Sequence, residues 1–134
     1  MLESLRVVQI GSARAAAVCT RLFADLGAKV EVFGASDSAA RQVTVLDDYL
    51  DLGKVHGSST VRIIDAMREA DLVVFNDSPA RLAACGLLPA DLEGLGLDAA
   101  LVYISAYGLS GPQANHPASD LTLLCASGIA RVLS

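Results

Sequence analysis

The stretch HPASDLTLLCASG, from His116 to Gly128, sets one carboxylate, Asp120, between a polar loop and an apolar run. Two roles suit such an acid. In the first turn of a helix it complements the positive end of the helix dipole, a gain of about 0.5–1 kcal/mol. The same acid can instead be the group that does chemistry. Ser119 can cap the helix by itself, which leaves Asp120 to project toward the loop before it. That loop reads AYGLSGP and contains Tyr107, Gly108, Ser110 and Gly111. Glycines there let backbone N–H groups face a bound carbonyl, although they equally serve an ordinary loop.

Three other stretches hold groups that could bind a ligand. LGKVHG contains Gly53, Lys54 and His56. A lysine after a turn glycine can reach a phosphate or simply be solvated, and His56 beside Gly57 reads as a surface-loop histidine. FNDSP closes a strand with Asn76, Asp77, Ser78 and Pro79. Carboxyl ends of strands are where open α/β sheets bind ligands, but the same residues make a plain strand-to-helix turn. IGSARAAA stands where a dinucleotide fingerprint would, yet Ala13 and Ala16 follow Gly11 where glycines are needed. Their Cβ atoms obstruct a pyrophosphate, so a nicotinamide cofactor is not expected. A weaker anion role for that helix start remains open.

The elements that would carry these groups alternate. LRVVQI (5–10), KVEVF (29–33), DLVVFN (71–76) and ALVYIS (100–105) read as strands. An Ala-rich helix from Ser12 to Leu26, capped by Ser12 and ended by Gly27, turns Ala15, Cys19, Leu22, Phe23 and Leu26 to one face. Ser58 or Ser59 caps a helix through TVRIIDAMREA that turns Val61 and Ile64 inward, with Met67 or Arg68 as further inward stems. Short helices follow at PARLAACG and PADLEGLG, and a last one starts near Ser119. Gly34 to Gly57 is less regular. This order predicts an α/β, Rossmann-like, open and mostly parallel sheet flanked by helices, in a single domain over residues 1–134.

Composition narrows the class further. The 134 residues are 53% hydrophobic and 4% aromatic, with no Trp, which favours aliphatic layers of helix on sheet. A net charge of −5 and scattered basic residues offer no track for a nucleic acid. Apolar runs are interrupted well before the ~20 residues of a membrane span, and MLESLRVVQIG does not read as a signal peptide. Cys19, Cys85 and Cys125 have neither disulfide-framework nor metal-site spacing. They read as buried reduced thiols in a cytoplasmic protein, with no bound metal.

Taken in chain order, LESLRVVQI, TRLFADLGAKV, YLDLGK, ADLVVFNDSP with the following CGL, LVYISAYGLSGP and ASDLTLLCASG resemble the N-terminal part of the family III CoA-transferases. This is the group of formyl-CoA:oxalate CoA-transferase and α-methylacyl-CoA racemase. The resemblance implies a transferase whose substrates are an acyl-CoA and a carboxylic acid, with coenzyme A as substrate rather than resident cofactor. It makes Asp120 the nucleophile and Tyr107, Gly108 and Gly111 its oxyanion loop. It sets CoA contacts at Arg41, Lys54 and Asn76. Family members are longer, with a second domain that this chain is expected to lack, and their chains interlock in pairs. A homo-oligomer or a second CoA-transferase chain is therefore the expected partner.

The chain also departs from that pattern. Ala16 and Ala17 stand in place of a Gly-Pro pair, and Asp77 and Ser78 in place of an aromatic residue and an arginine. The strand after the Gly-Lys turn is expected to be missing, since KVHGSS runs almost directly into a helix. Ser119 replaces the histidine of the racemase branch, which favours transfer over isomerisation. Asp77 and Ser78 also fit a non-catalytic domain of the same fold that serves as a partner or regulator.

Overall fold

Short β-branched runs separated by helical stretches fold here into one sheet with helices on both faces. The computed structural model describes residues 1–11, 13–34, 44–57 and 62–132. Its strands are β1 (Arg6–Ile10), β2 (Lys29–Phe33), β3 (Lys54–His56), β4 (Leu72–Phe75) and β5 (Ala100–Tyr103). They pair in the order β3-β2-β1-β4-β5, every pair parallel. The sheet is thus wholly rather than mostly parallel. The helices are α1 (Arg14–Asp25), α2 (Val45–Asp51), α3 (Ile63–Arg68), α4 (Pro79–Ala84), α5 (Pro89–Leu92), α6 (Asp120–Ala126) and α7 (Ile129–Val132).

Alternation along the strands divides the core in two. Val8, Ile10, Phe33, Val73 and Phe75 meet Met67 and Leu82 on one face. Val7, Val30, Val32 and Val74 meet Ala16 and Phe23 on the other. Parallel strands need cover on both sides, and the central β1 is accordingly buried from Val7 to Ile10. Phe75 stacks on Tyr103 with ring centroids 4.4 Å apart. A fully buried apolar side chain such as Phe75 contributes roughly 1.5–3 kcal/mol.

Helix α1 corrects the sequence reading twice. Its buried residues are Ala16 and Thr20, while Leu22 is 62% and Leu26 44% exposed. The inward face is therefore rotated from the apolar stripe, because Thr20 is drawn in by a polar partner on β1. Ser12 lies outside the described residues, and the cap position falls on Ala13, which has no side-chain cap of its own. The C-terminal expectation holds. Gly27 has φ +93°, and the Ala28 N–H returns to the Phe23 carbonyl at 3.0 Å, closing the helix in a left-handed turn.

Two elements emerge from the region read as irregular. Thr44 and Asp47 form a reciprocal capping box that starts α2. Lys54–His56 forms a strand against β2, pairing Val30 with Lys54 and Val32 with His56. The expected absence of a strand there is thus overturned, and His56 lies on an edge strand rather than in a loop. Its Nε2 sits 3.6 Å from Asp51. Three residues are too few to display a period of two, so pairing with β2 creates this strand. Ser58, Ser59 and Val61 lie outside the described residues, while Ile63 and Met67 carry the buried face of α3. Cys19, Cys85 and Cys125 are free thiols, but Cys85 and Cys125 are exposed and Cys19 half-buried, against the expected burial.

Candidate active site

From β1 the chain winds outward through β2 to β3, then crosses back to place β4 on the other side of β1. The strand order reverses between β1 and β4, and ligands of open α/β sheets bind outside the carboxyl ends at such a point. Gly11 leaves β1 there with φ +102°, and a Cβ on it would lie 2.5 Å from the Asn76 carbonyl oxygen. Only glycine lets the two strand ends approach this closely. Beside them opens a cleft of about 520 Å³ whose walls include Ala13, Asn76, Asp77, Arg81, Ser105 and His116. Arg81 Nε lies 3.3 Å from Asp77 Oδ2, so the cleft's acid and its arginine are paired.

Asn76 looks inward from this cleft. Its Oδ1 accepts from the Ala16 N–H at 3.1 Å, and its Nδ2 donates to the Ile104 carbonyl at 2.8 Å. The side chain thus caps α1 from a neighbouring strand and ties it to the residue just beyond β5. Lys54 is likewise turned into the fold. Its Nζ donates to the Ala17 carbonyl at 2.9 Å and to Gln9 Oε1 at 3.2 Å. Burial holds its pKa below the ordinary lysine value, partly offset by the Asp51 carboxylate.

Gln9 and Thr20 complete this network and were not singled out in the sequence. Thr20 Oγ1 donates to Gln9 Oε1 at 2.6 Å and lies 2.9 Å from the Ala16 carbonyl, while Gln9 Nε2 donates to the Gly11 carbonyl at 3.1 Å. Gln9 is 2% exposed and Thr20 is fully buried. The usable signal was one glutamine inside an apolar strand, since a buried amide must find a polar partner.

Asp120 lies elsewhere, as the first residue of α6. Ser119 caps that helix, its Oγ accepting from the Thr122 N–H at 3.3 Å, as the sequence implied. Asp120 is exposed, and among the described residues its carboxylate has no hydrogen-bond or ion-pair partner. It borders a recess of about 490 Å³ with Ala106, Tyr107, Leu123, Leu124 and Ser127. Tyr107 and Asp120 are therefore brought together, and Ala106 is common to this recess and the Asn76 cleft. The glycines of the loop turn back on it. The Gly108 N–H donates to Ser105 Oγ at 3.0 Å, and the Gly111 carbonyl accepts from the Ala114 N–H at 3.3 Å. Neither glycine is among the described lining residues of the recess. Arg41 lies outside the described residues.

Among the described residues no group of His, Cys, Asp and Glu is arranged to hold a metal ion, and no helix is long and apolar enough to cross a membrane. Tyr103, whose hydroxyl donates to the Leu87 carbonyl at 3.0 Å, has its pKa raised by burial and by the Asp91 carboxylate.

A five-stranded parallel sheet with its cleft at the point of strand reversal defines a Rossmann-like α/β domain. Residues 2–134 match the CoA-transferase family III model, and the chain belongs to that family. Two crystal structures of Rv3272 from Mycobacterium tuberculosis superpose with TM-scores of 0.77 and 0.79, at 25% and 26% identity. They align over 96% of this chain and 38–39% of theirs. A CaiB/BaiF family protein from Brucella suis shares the fold, with TM-score 0.74 and 22% identity over 95% of this chain and 39% of its own. The chain thus spans about two-fifths of the length of these solved relatives. No curated protein matches it.

Proposed function

We propose that this chain is the acyl-CoA-handling domain of an acyl-CoA:carboxylate CoA-transferase, with Asp120 as the group that accepts the acyl. The observation that carries this reading is an unpaired carboxylate at the head of α6, in a largely apolar recess next to the cleft at the sheet's carboxyl ends. The carboxylate oxygen attacks the thioester carbonyl, the C–S bond breaks, and an aspartyl mixed anhydride forms with CoA thiolate released. Thiolate then attacks the aspartyl carbonyl, expelling the first carboxylate and leaving an aspartyl-CoA thioester. The acceptor carboxylate attacks that thioester, and the returning thiolate converts the resulting anhydride into the new acyl-CoA and free Asp120.

A carboxylate is a weak nucleophile, so the steps need a dry recess and oxyanion donors. Tyr107 borders the recess, but the Gly108 N–H is engaged with Ser105. The function therefore needs cover from a second polypeptide surface, a further copy of this chain or another CoA-transferase chain. The exposure of Asp120 and the engaged Gly108 N–H favour a second reading, a non-catalytic CoA-transferase-like domain that binds acyl-CoA for a partner.

Trapping separates the two. The protein is incubated with an acyl-CoA, quenched with hydroxylamine and mapped by peptide mass spectrometry. A hydroxamate at Asp120 supports the nucleophile. Acyl-CoA binding by calorimetry with Asp120 unmodified supports the non-catalytic domain, and absence of binding overturns both.

A further inference from the structure

Lys54 and Asn76 grip the first turns of α1 from opposite sides, one through the Ala17 carbonyl and the other through the Ala16 N–H. Between them Gln9 accepts from both Thr20 and Lys54 and donates to the carbonyl of Gly11. Thr20 Oγ1 also lies 2.9 Å from the Ala16 carbonyl, and Asn76 donates to the Ile104 carbonyl. A continuous belt of hydrogen bonds thus crosses the carboxyl ends of the sheet, from β3 through β1 and α1 to β4 and the residue beyond β5. The segment it holds, the first turn of α1, is otherwise tied by a 3.7 Å ion pair from Arg14 to Asp47. Ala13, Arg14 and Ala15 are exposed, and Gly11 before them is held by its N–H on the Phe33 carbonyl. Ala13 is also part of the cleft wall.

We propose that Lys54 is a positioning residue for the cleft, fixing the first turns of α1 and with them the cleft wall at Ala13, and not a cation that contacts the ligand's phosphates. Two of the three ammonium donors are committed inward, to acceptors on β1 and α1. The proposal rests on the reading of the cleft as an acyl-CoA site, and its test keeps the two separable. CoA carries phosphates, whereas pantetheine ends in the same thiol arm without them. A phosphate-binding lysine discriminates between these probes, and a lysine that shapes the wall does not.

The measurement compares wild type, Lys54→Met and Lys54→Arg, with Lys29→Met on β2 as a charge control. Calorimetry with CoA and with pantetheine is paired with amide exchange read by NMR. Lys54→Met, which loses both inward hydrogen bonds of the ammonium, is expected to weaken both probes by the same factor, about tenfold. It should also speed exchange at Ala16 to Thr20 while Val30 and Val74 stay protected. Lys54→Arg, which keeps the donors, should recover most of the affinity, and Lys29→Met should change neither probe. A loss confined to CoA with α1 exchange unchanged overturns the proposal, as does no change in any readout. If wild type binds neither probe, the acyl-CoA reading fails. Exchange then decides alone: selective loss at α1 supports the belt, and unchanged rates overturn it.

Discussion

Around the ends of β1 and β4 buried and half-buried polar side chains are tied into the fold, Gln9 to Thr20 and Lys54, and Asn76 to α1 and to Ile104. At the head of α6, by contrast, Asp120 stands exposed, without a partner among the described residues, in a recess open to solvent. The first region is buried and hydrogen-bonded by the chain itself, so its geometry is set before any ligand arrives. The second has its acid placed by Ser119 and the helix start, but its surroundings remain wet. A carboxylate gains nucleophilic power only when water is excluded and oxyanion donors are supplied, and under the proposed function a second polypeptide surface supplies both.

The strongest way to break the contrast is to disturb the built side. Gly11→Ala forces a Cβ to within 2.5 Å of the Asn76 carbonyl at φ +102°. We expect a loss of about 2–5 kcal/mol, combining backbone strain with overpacking, read as a lower midpoint in urea unfolding. An unchanged midpoint would mean that the two strand ends do not meet as described. Thr20→Val comes next. It keeps the volume but removes the hydroxyl donor to Gln9, at an expected cost of about 1–2 kcal/mol. A cost near zero would show that Gln9 finds equivalent partners and that the network is not specific.

These two residues mark the limit of what the sequence revealed. Strands β1, β2, β4 and β5, the parallel topology, Gly27 and the Ser119 cap were legible because each rests on a local pattern: an apolar run, a turn glycine or a capping residue. Strand β3 was hidden, since three residues carry no periodicity and only pairing with β2 defines them. The inward face of α1 was misread because Thr20 looks polar until Gln9 is placed beneath it. Lys54 and Asn76 were assigned as ligand contacts through the family resemblance. Their side-chain directions depend on backbone groups 37 and 60 residues away in sequence, which no local pattern encodes.

A smaller effect sharpens the same contrast through pH. Lys54 is pushed below the ordinary lysine value of 10.5 by burial, so between its folded pKa and 10.5 the unfolded chain holds more protons than the folded one. Stability should therefore rise with pH through that window as the penalty on the buried ammonium is relieved. Tyr103 acts in the opposite sense. Burial raises its pKa above 10.0, so its contribution is intact below pH 10.0 and lost as pH climbs through the folded value. Urea unfolding across the alkaline range should show Lys54→Met abolishing the rise and Tyr103→Phe abolishing the later fall. If Lys54→Met leaves the slope unaltered, the ammonium is hydrated rather than held against Gln9 and Ala17.

The smallest stability effect belongs to the open side. Asp120 is exposed, and Ser119 already supplies the cap, so Asp120→Asn removes only a favourable charge at the start of α6. The expected change is at most about 0.5 kcal/mol, with the unfolding midpoint barely moved. The same substitution leaves volume and fold intact while removing the anion that attacks a thioester. A variant as stable as wild type that still binds CoA, yet yields no hydroxamate at position 120, is therefore the expected signature of a nucleophile. Should hydroxamate appear at another acid in the variant and in wild type alike, the acyl acceptor lies outside α6. A large stability loss would carry a different message. It would mean that the carboxylate is bound into the fold, and the recess beside Tyr107 would then be a structural joint rather than an opening kept for a substrate.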